Sequence, residues 1–118
     1  MKTFDYISSC VKYRNCFFDM KKINGRINLS IYGYVEYDKN LSHISNITVD
    51  VEEELPEDQV VIDSYENTNL ISFLLDLKIA KRIVKRIAHK LILLPVIELD
   101  LEVLKDYCYD MEGLKYAS

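Results

Sequence analysis

Tryptophan is absent from the chain, glycine occurs three times, proline twice and histidine twice. Three glycines are too few for a glycine-rich phosphate loop or a dinucleotide fingerprint. The histidines, His43 and His89, and the three cysteines, Cys10, Cys16 and Cys108, lie scattered, without the spacing that gathers zinc ligands. No nucleophile sits beside a base in a local motif, so nucleophilic catalysis has no support. The longest apolar run, residues 91–97, is interrupted by Pro95 and is far shorter than the roughly 20 residues that cross a bilayer. Asp5 interrupts any apolar stretch near the start, which predicts no signal peptide. An odd number of cysteines without a leader predicts reduced thiols and a cytoplasmic protein. Together these absences predict no enzymatic activity, no metal, no cofactor and no membrane association.

What is present is an ordinary globular composition. The chain has 118 residues, 49% apolar and 29% charged, which predicts a single domain over residues 1–118 able to fold without staples. The net charge of −4 is unevenly spread. Residues 1–30 carry six bases and two acids, and residues 31–66 carry Lys39 against ten acids. Residues 67–90 carry six bases and Asp76, and residues 91–118 carry two bases and six acids. Such blocks either steer charged partners over about 8–10 Å or meet in the folded molecule and neutralise one another.

The pattern along the chain is that of an α+β fold. Cys10-Val11-Lys12-Tyr13 and Cys16-Phe17-Phe18-Asp19-Met20 flank Arg14-Asn15 and predict an N-terminal hairpin turning there. Asn24-Gly25 is the strongest hairpin signal, because both residues accept the positive φ of a type I′ turn. After it Ile27, Leu29 and Ile31 alternate with Asn28, Ser30 and Tyr32, the period of a strand with one face on a core. Ile44, Ile47, Val49 and Val51 predict a second strand, and Val60-Val61-Ile62 a short buried one. Leu70, Phe73, Leu74 and Leu77 form one helical stripe, so a helix is expected over 67–77 with Asn67 as its cap. Residues 78–90 fit either a longer helix or a strand. Residues 91–99 read as a strand in which Pro95 disfavours a central position. Asp100 can cap a last helix near 100–111 that stops at Gly113. The expectation is an antiparallel sheet of four to six strands with one packed helix and a short C-terminal helix. Its core would comprise Ile27, Leu29, Ile31, Ile47, Val49, Ile62, Leu70, Phe73, Leu74, Leu77, Val96 and Leu101.

Several of these pieces recur in a known order. Asn24-Gly25-Arg26-Ile27, Ile47-Thr48-Val49, Glu57-Asp58-Gln59-Val60-Val61-Ile62, Tyr65-Glu66-Asn67 and Pro95-Val96 resemble a family of small bacterial proteins of unknown function. These are carried on plasmids, conjugative elements and phages, and the resemblance spans residues 22–99. It implies an accessory or anti-defence role, anti-CRISPR activity among them, rather than a catalysed reaction. Two departures stand out. Thr68-Asn69 follows the Glu-Asn pair where the family has glycine, and the basic stretch 81–86 replaces a glycine-containing loop. The resemblance favours a strand at 82–87.

Two surfaces emerge as candidates. The acidic run Asp50, Glu52, Glu53, Glu54, Glu57 and Asp58 can imitate nucleic-acid phosphates and compete for the lysines and arginines that bind them. Tyr32, Tyr34 and Tyr37 beside it would act as anchors, since tyrosine buries much area with few rotors. On this reading the chain is a protein-binding inhibitor, its partner a host defence nuclease whose nucleic-acid groove it occupies. The alternative is nucleic-acid binding through Lys78, Lys81, Arg82, Lys85, Arg86 and Lys90; on a helix Lys78, Arg82, Lys85 and Arg86 share a face, whereas on a strand alternation divides them. Nothing in the sequence sets an oligomeric state.

Overall fold

Three reversals of the chain set the architecture, each made by two residues in the left-handed conformation. They are Ser9 (φ 50°) with Cys10 (65°), Asn24 (53°) with Gly25 (77°), and Lys90 (49°) with Leu91 (70°). Two successive positive φ values match the right-handed twist of paired strands, which makes such turns natural hairpin connections. The computed structural model describes residues 1–36, 39–65 and 67–109. In chain order these form β1 (Phe4–Ser8), β2 (Val11–Ile23), β3 (Arg26–Val35), β4 (Ser42–Asn46), β5 (Thr48–Val49), β6 (Gln59–Ile62), α1 (Leu70–Asp76), β7 (Ala80–His89), β8 (Ile92–Leu99) and α2 (Leu101–Asp106). The strands build two four-stranded sheets, ordered β1-β2-β3-β4 and β5-β6-β8-β7, with every paired neighbour antiparallel. The fold is mostly antiparallel sheet with two short helices, α+β in that sense, but with two sheets in place of one sheet of four to six strands.

The N-terminal hairpin is displaced from its expected place. The chain reverses at Ser9-Cys10, and β2 runs straight through Arg14-Asn15, where the pairing with β3 only shifts register. Asn15 adopts a φ of 51°, so the local preference that suggested a turn is spent on a bulge. Before the start of β1, opposite Phe18, the segment around Cys108 takes its place beside β2. The Phe18 amide donates to the Tyr107 carbonyl (2.8 Å) and the Tyr109 amide to the Phe18 carbonyl (3.0 Å).

The stretch expected as one second strand serves both sheets. Ser42–Asn46 pairs with β3, whereas Thr48–Val49 pairs with β6. Ile47, fully buried between them, donates its amide to Leu29 (3.0 Å) and accepts from the Asp63 amide (2.9 Å). The Thr48 hydroxyl accepts from the Leu29 amide (3.1 Å). Residues 78–90, left open between helix and strand, are strand through Ala80–His89.

Pro95 lies in β8, which is flanked by β6 and β7, so the expectation against a central strand is corrected. The physical reason is the register. β6 pairs only with Val96, Ile97 and Glu98, so the proline's missing N–H interrupts no bond on that side.

Both helices are shorter than expected. α1 starts at Leu70 behind Asn69, whose side chain makes no capping bond, while the Asn67 side-chain Nδ2 donates to the Asp63 carbonyl (3.3 Å) in place of a cap. At α2 the Asp100 carboxylate accepts from the Val103 amide, the cap read from the sequence. Tyr37, Glu66 and Gly113 lie outside the described residues.

One apolar cluster joins the two sheets and the helices. It includes Phe18, Ile27, Leu29 and Ile31 from the first sheet, Val60, Ile62, Ile97 and Leu99 from the second, and Leu70, Leu74 and Leu104 from the helices. Of the expected core, Ile47 and Val96 are also buried, whereas Val49, Phe73, Leu77 and Leu101 are only partly so. Alternation along β6 and β8 places Val61, Leu94 and Val96 on the opposite face of the second sheet. That face carries a second, smaller cluster, completed by Val49, Val51 and Leu55. The acidic stretch is thus the cover of an apolar face, which positions the first candidate surface.

Candidate docking surfaces

The acidic loop is fastened by both its apolar and its charged residues. Val51 and Leu55, both half-buried, pack onto Val61, Leu94 and Val96, each contributing less than the roughly 1.5–3 kcal/mol of a fully buried side chain. Arg26, the first residue after the Asn24-Gly25 turn, reaches across to the loop. Its guanidinium donates to the Val51 carbonyl and to the Glu53 carbonyl (2.8 Å), lies 3.4 Å from the Glu52 carbonyl, and faces the Asp50 carboxylate at 3.4 Å. The planar five-donor fork of arginine suits such multiple contacts. Lys22 pairs with Glu57 at 2.5 Å and Lys85 with Glu53 at 2.6 Å. The Lys22 ammonium, hydrogen-bonded to it, holds the Glu57 carboxyl below its ordinary value.

Opposite charge blocks therefore do meet. Asp50, Glu53 and Glu57 are each tied to a cation, while Glu52, Glu54 and Asp58 have none within 4 Å among the described residues. Screening by water keeps each of the exposed pairs weak. Their structural effect is to fix where the carboxylates lie.

Tyr32 and Tyr34 stand on β3 in the other sheet. The Tyr32 ring is stacked on Phe17 (centroids 6.1 Å apart, 11° between planes) and meets the edge of His43 at 5.2 Å. Among the described residues, no ring contact, hydrogen bond or ion pair joins either tyrosine to the acidic loop. The structure brings the six acids into one loop and leaves these tyrosines apart from them; Tyr37 lies outside the described residues.

The basic residues divide along β7, as alternation dictates. Arg82 pairs with Glu98 across the ladder (2.7 Å) and Lys85 with Glu53, both on the face that the acidic loop covers. Arg86 falls on the opposite face, beside Pro95 in register. Among the described residues, no carboxylate lies within 4 Å of Lys78, Lys81, Arg86 or Lys90. Between the loop and the end of β7 runs an open groove of about 680 Å³, lined by Asp50, Glu52 and Glu53 on one side and Ile87, Ala88, His89 and Lys90 on the other. Both signs of charge line it.

The chemically reactive side chains are dispersed. Burial pushes the Cys16 thiol up to about 11, with the Asp5 charge adding to it. Burial also pushes Cys108 up to about 12, reinforced by Asp19. Neither forms thiolate near neutral pH, the form that attacks or ligates. His43 shares a hydrogen bond with the Asn46 side chain (Nε2 to Oδ1, 2.9 Å). Among the described residues, no three His, Cys, Asp or Glu side chains converge to hold a metal ion, and no helix is long and apolar enough to cross a membrane.

The Arg26 clamp escaped the sequence reading because its partners lie 25 to 27 residues away and are mostly carbonyls, which carry no residue signature. Comparison with protein-family models, curated proteins and solved structures finds no match to this chain.

Proposed function

We propose that the protein is a non-enzymatic binding protein that docks its acidic loop, residues 50–58, into a basic groove of a protein partner. The partner class that fits is a nucleic-acid-handling enzyme of a host defence system, whose phosphate-binding lysines and arginines the carboxylates occupy. The resemblance of residues 22–99 to mobile-element proteins supports the setting, and the cytoplasm is the compartment in which the three unpaired cysteines stay reduced. The observation that carries the reading is the Arg26 clamp. A charged loop held by three successive carbonyls loses little further entropy on docking, which favours affinity.

The rival reading, nucleic-acid binding through β7, draws on the unpaired cations Lys78, Lys81, Arg86 and Lys90. It is disfavoured by the acidic loop itself, which stands beside that strand and repels a polyanion. The discriminating experiment captures partners from a bacterial host lysate with the natural chain and with Glu52→Lys/Glu54→Lys/Asp58→Lys, then competes each captured partner with duplex DNA. A partner held by the natural chain, lost with the triple variant and displaced by DNA supports the reading. No protein partner, together with salt-sensitive binding of the chain to bare DNA, would rule it out in favour of β7.

A further inference from the structure

We infer that the outer edge of β7, at Arg86 and Ala88, is a strand-addition site for an extended acidic segment of a partner protein. β7 is the last strand of its sheet, so among the described residues one side of its backbone has no strand beside it. Register shifts between Ala80 and Arg82 and between Ile83 and Lys85 disrupt the upstream half. From Lys85 to His89 the pairing with β8 is regular, residue by residue. The two-residue turn at Lys90-Leu91 makes His89 and Ile92 the pair that exchanges both ladder bonds. Counting back, Ile87 and Leu94 form the next such pair. The backbone N–H and C=O of Arg86 and Ala88 therefore point away from β8, and no other described residue bonds them. Pro95 opposite Arg86 agrees, because a residue lacking N–H belongs at a position that gives none to β7.

The side chains specify the guest. Arg86 and Ala88 are two apart and share the face not covered by the acidic loop, where Leu93, 64% exposed, lies opposite Ala88. An added strand presents to them two residues on one face, also two apart. An acidic residue meets Arg86, which has no ion-pair partner among the described residues, and an apolar residue meets Ala88 and Leu93. A second copy of this chain is the wrong guest, since pairing β7 with β7 brings Lys85, Arg86 and Lys90 against their own kind. The cations that guard this edge against self-pairing are those that select an acidic strand. This surface is separate from the acidic loop, so either assignment can fail alone.

The test uses a blocked hexapeptide, Thr-Glu-Thr-Val-Thr-Thr, whose glutamate and valine lie two apart on one face, with hydrogen exchange of the intact protein read at single amides. Saturating peptide should slow exchange at Arg86 and Ala88 by about tenfold or more. Ala88→Pro, which removes an outward N–H, and Arg86→Glu should each weaken binding by about tenfold. The same peptide with lysine in place of glutamate should not bind. A glutamate–valine peptide N-methylated at alternate residues tests the backbone bonds with the protein unaltered, and it too should not bind. Unchanged exchange at both amides overturns the proposal, and so does equal binding of the N-methylated peptide, which would reduce the contact to charge attraction.

Discussion

Gly33 of β3 lies directly against Cys16 of β2, so closely that a Cβ built on the glycine would stand 2.5 Å from the cysteine Sγ. The Ile44 Cδ1 at 3.1 Å and the Arg14 carbonyl oxygen at 3.3 Å close the remaining space. Glycine here serves close approach of side chain to backbone, not a special φ. Gly33→Ala is expected to destabilise the fold by about 1–3 kcal/mol, read as a lower urea midpoint. Adding Cys16→Ala should recover part of that loss but not all, because the Arg14 carbonyl cannot withdraw. A Gly33→Ala protein with unchanged stability would contradict this packing.

Arg26→Met keeps most of the side chain's apolar stem and removes its five donors. The acidic loop should then loosen, with stability lower by about 1–3 kcal/mol, the range for hydrogen bonds to a charged group less the screening of a part-exposed site. A glutamate-specific protease checks it. Cleavage at Glu52, Glu53 or Glu54 should accelerate in Arg26→Met, whereas cleavage at Glu102 on α2 should not. Equal rates at both places would remove the clamp from the account.

Leu91 occupies a left-handed position at φ 70° with its side chain fully in water. Left-handed backbone costs a residue with a Cβ roughly 1–2 kcal/mol, and no burial offsets it here. Replacing Lys90-Leu91 by Asn-Gly, the pair already found at residues 24–25, should therefore stabilise the protein by about 1 kcal/mol and raise Tm by roughly 4 °C. A calorimetric Tm that stays level or falls would mean the leucine makes a contact the structure does not show.

Only Cys10 is exposed, and it should react with an aromatic disulfide reagent at pH 8 while Cys16 and Cys108 stay silent until the protein unfolds. A thiol titrating near 11 is ionised to about one part in a thousand at that pH. The same shifts set an alkaline limit. Both thiols titrate higher in the folded chain than their ordinary value of 9.0, so the folded state keeps protons that the unfolded state has released. Stability should be full below about pH 9 and decline toward pH 11–12, by up to roughly 1.4 kcal/mol per pH unit for each thiol. Cys16→Ala/Cys108→Ala should flatten that slope, whatever its effect on the level, and an undiminished slope in urea titrations would count against thiol burial as its cause.

What was legible in the sequence was local chemistry repeated along one element. Ile27, Leu29 and Ile31 alternate cleanly because β3 buries one face, and Asn24-Gly25 and Asp100 act within a few residues of themselves. What was not legible depended on partners far along the chain. Lys90-Leu91 is a turn only because β7 and β8 pair around it, overriding what leucine prefers. The second sheet is apolar on both faces, so Leu94 to Ile97 read as a continuous run with no period to assign. The acidic loop was visible as a charge block, but Arg26, Lys22 and Lys85 reach it from other strands, and Tyr32 and Tyr34, expected to accompany it, stand on the other sheet.

Ile47 has a consequence for how the molecule comes apart. Its N–H belongs to the ladder of the first sheet and its C=O to the end of the second, and its side chain is fully enclosed between them. A single residue is therefore a shared rivet. Peeling either sheet strips one of its two bonds and opens to water the apolar core that both sheets share. The two sheets should melt as one cooperative unit, with slow-exchanging amides on both sides opening through the same event, rather than as two halves with separate transitions.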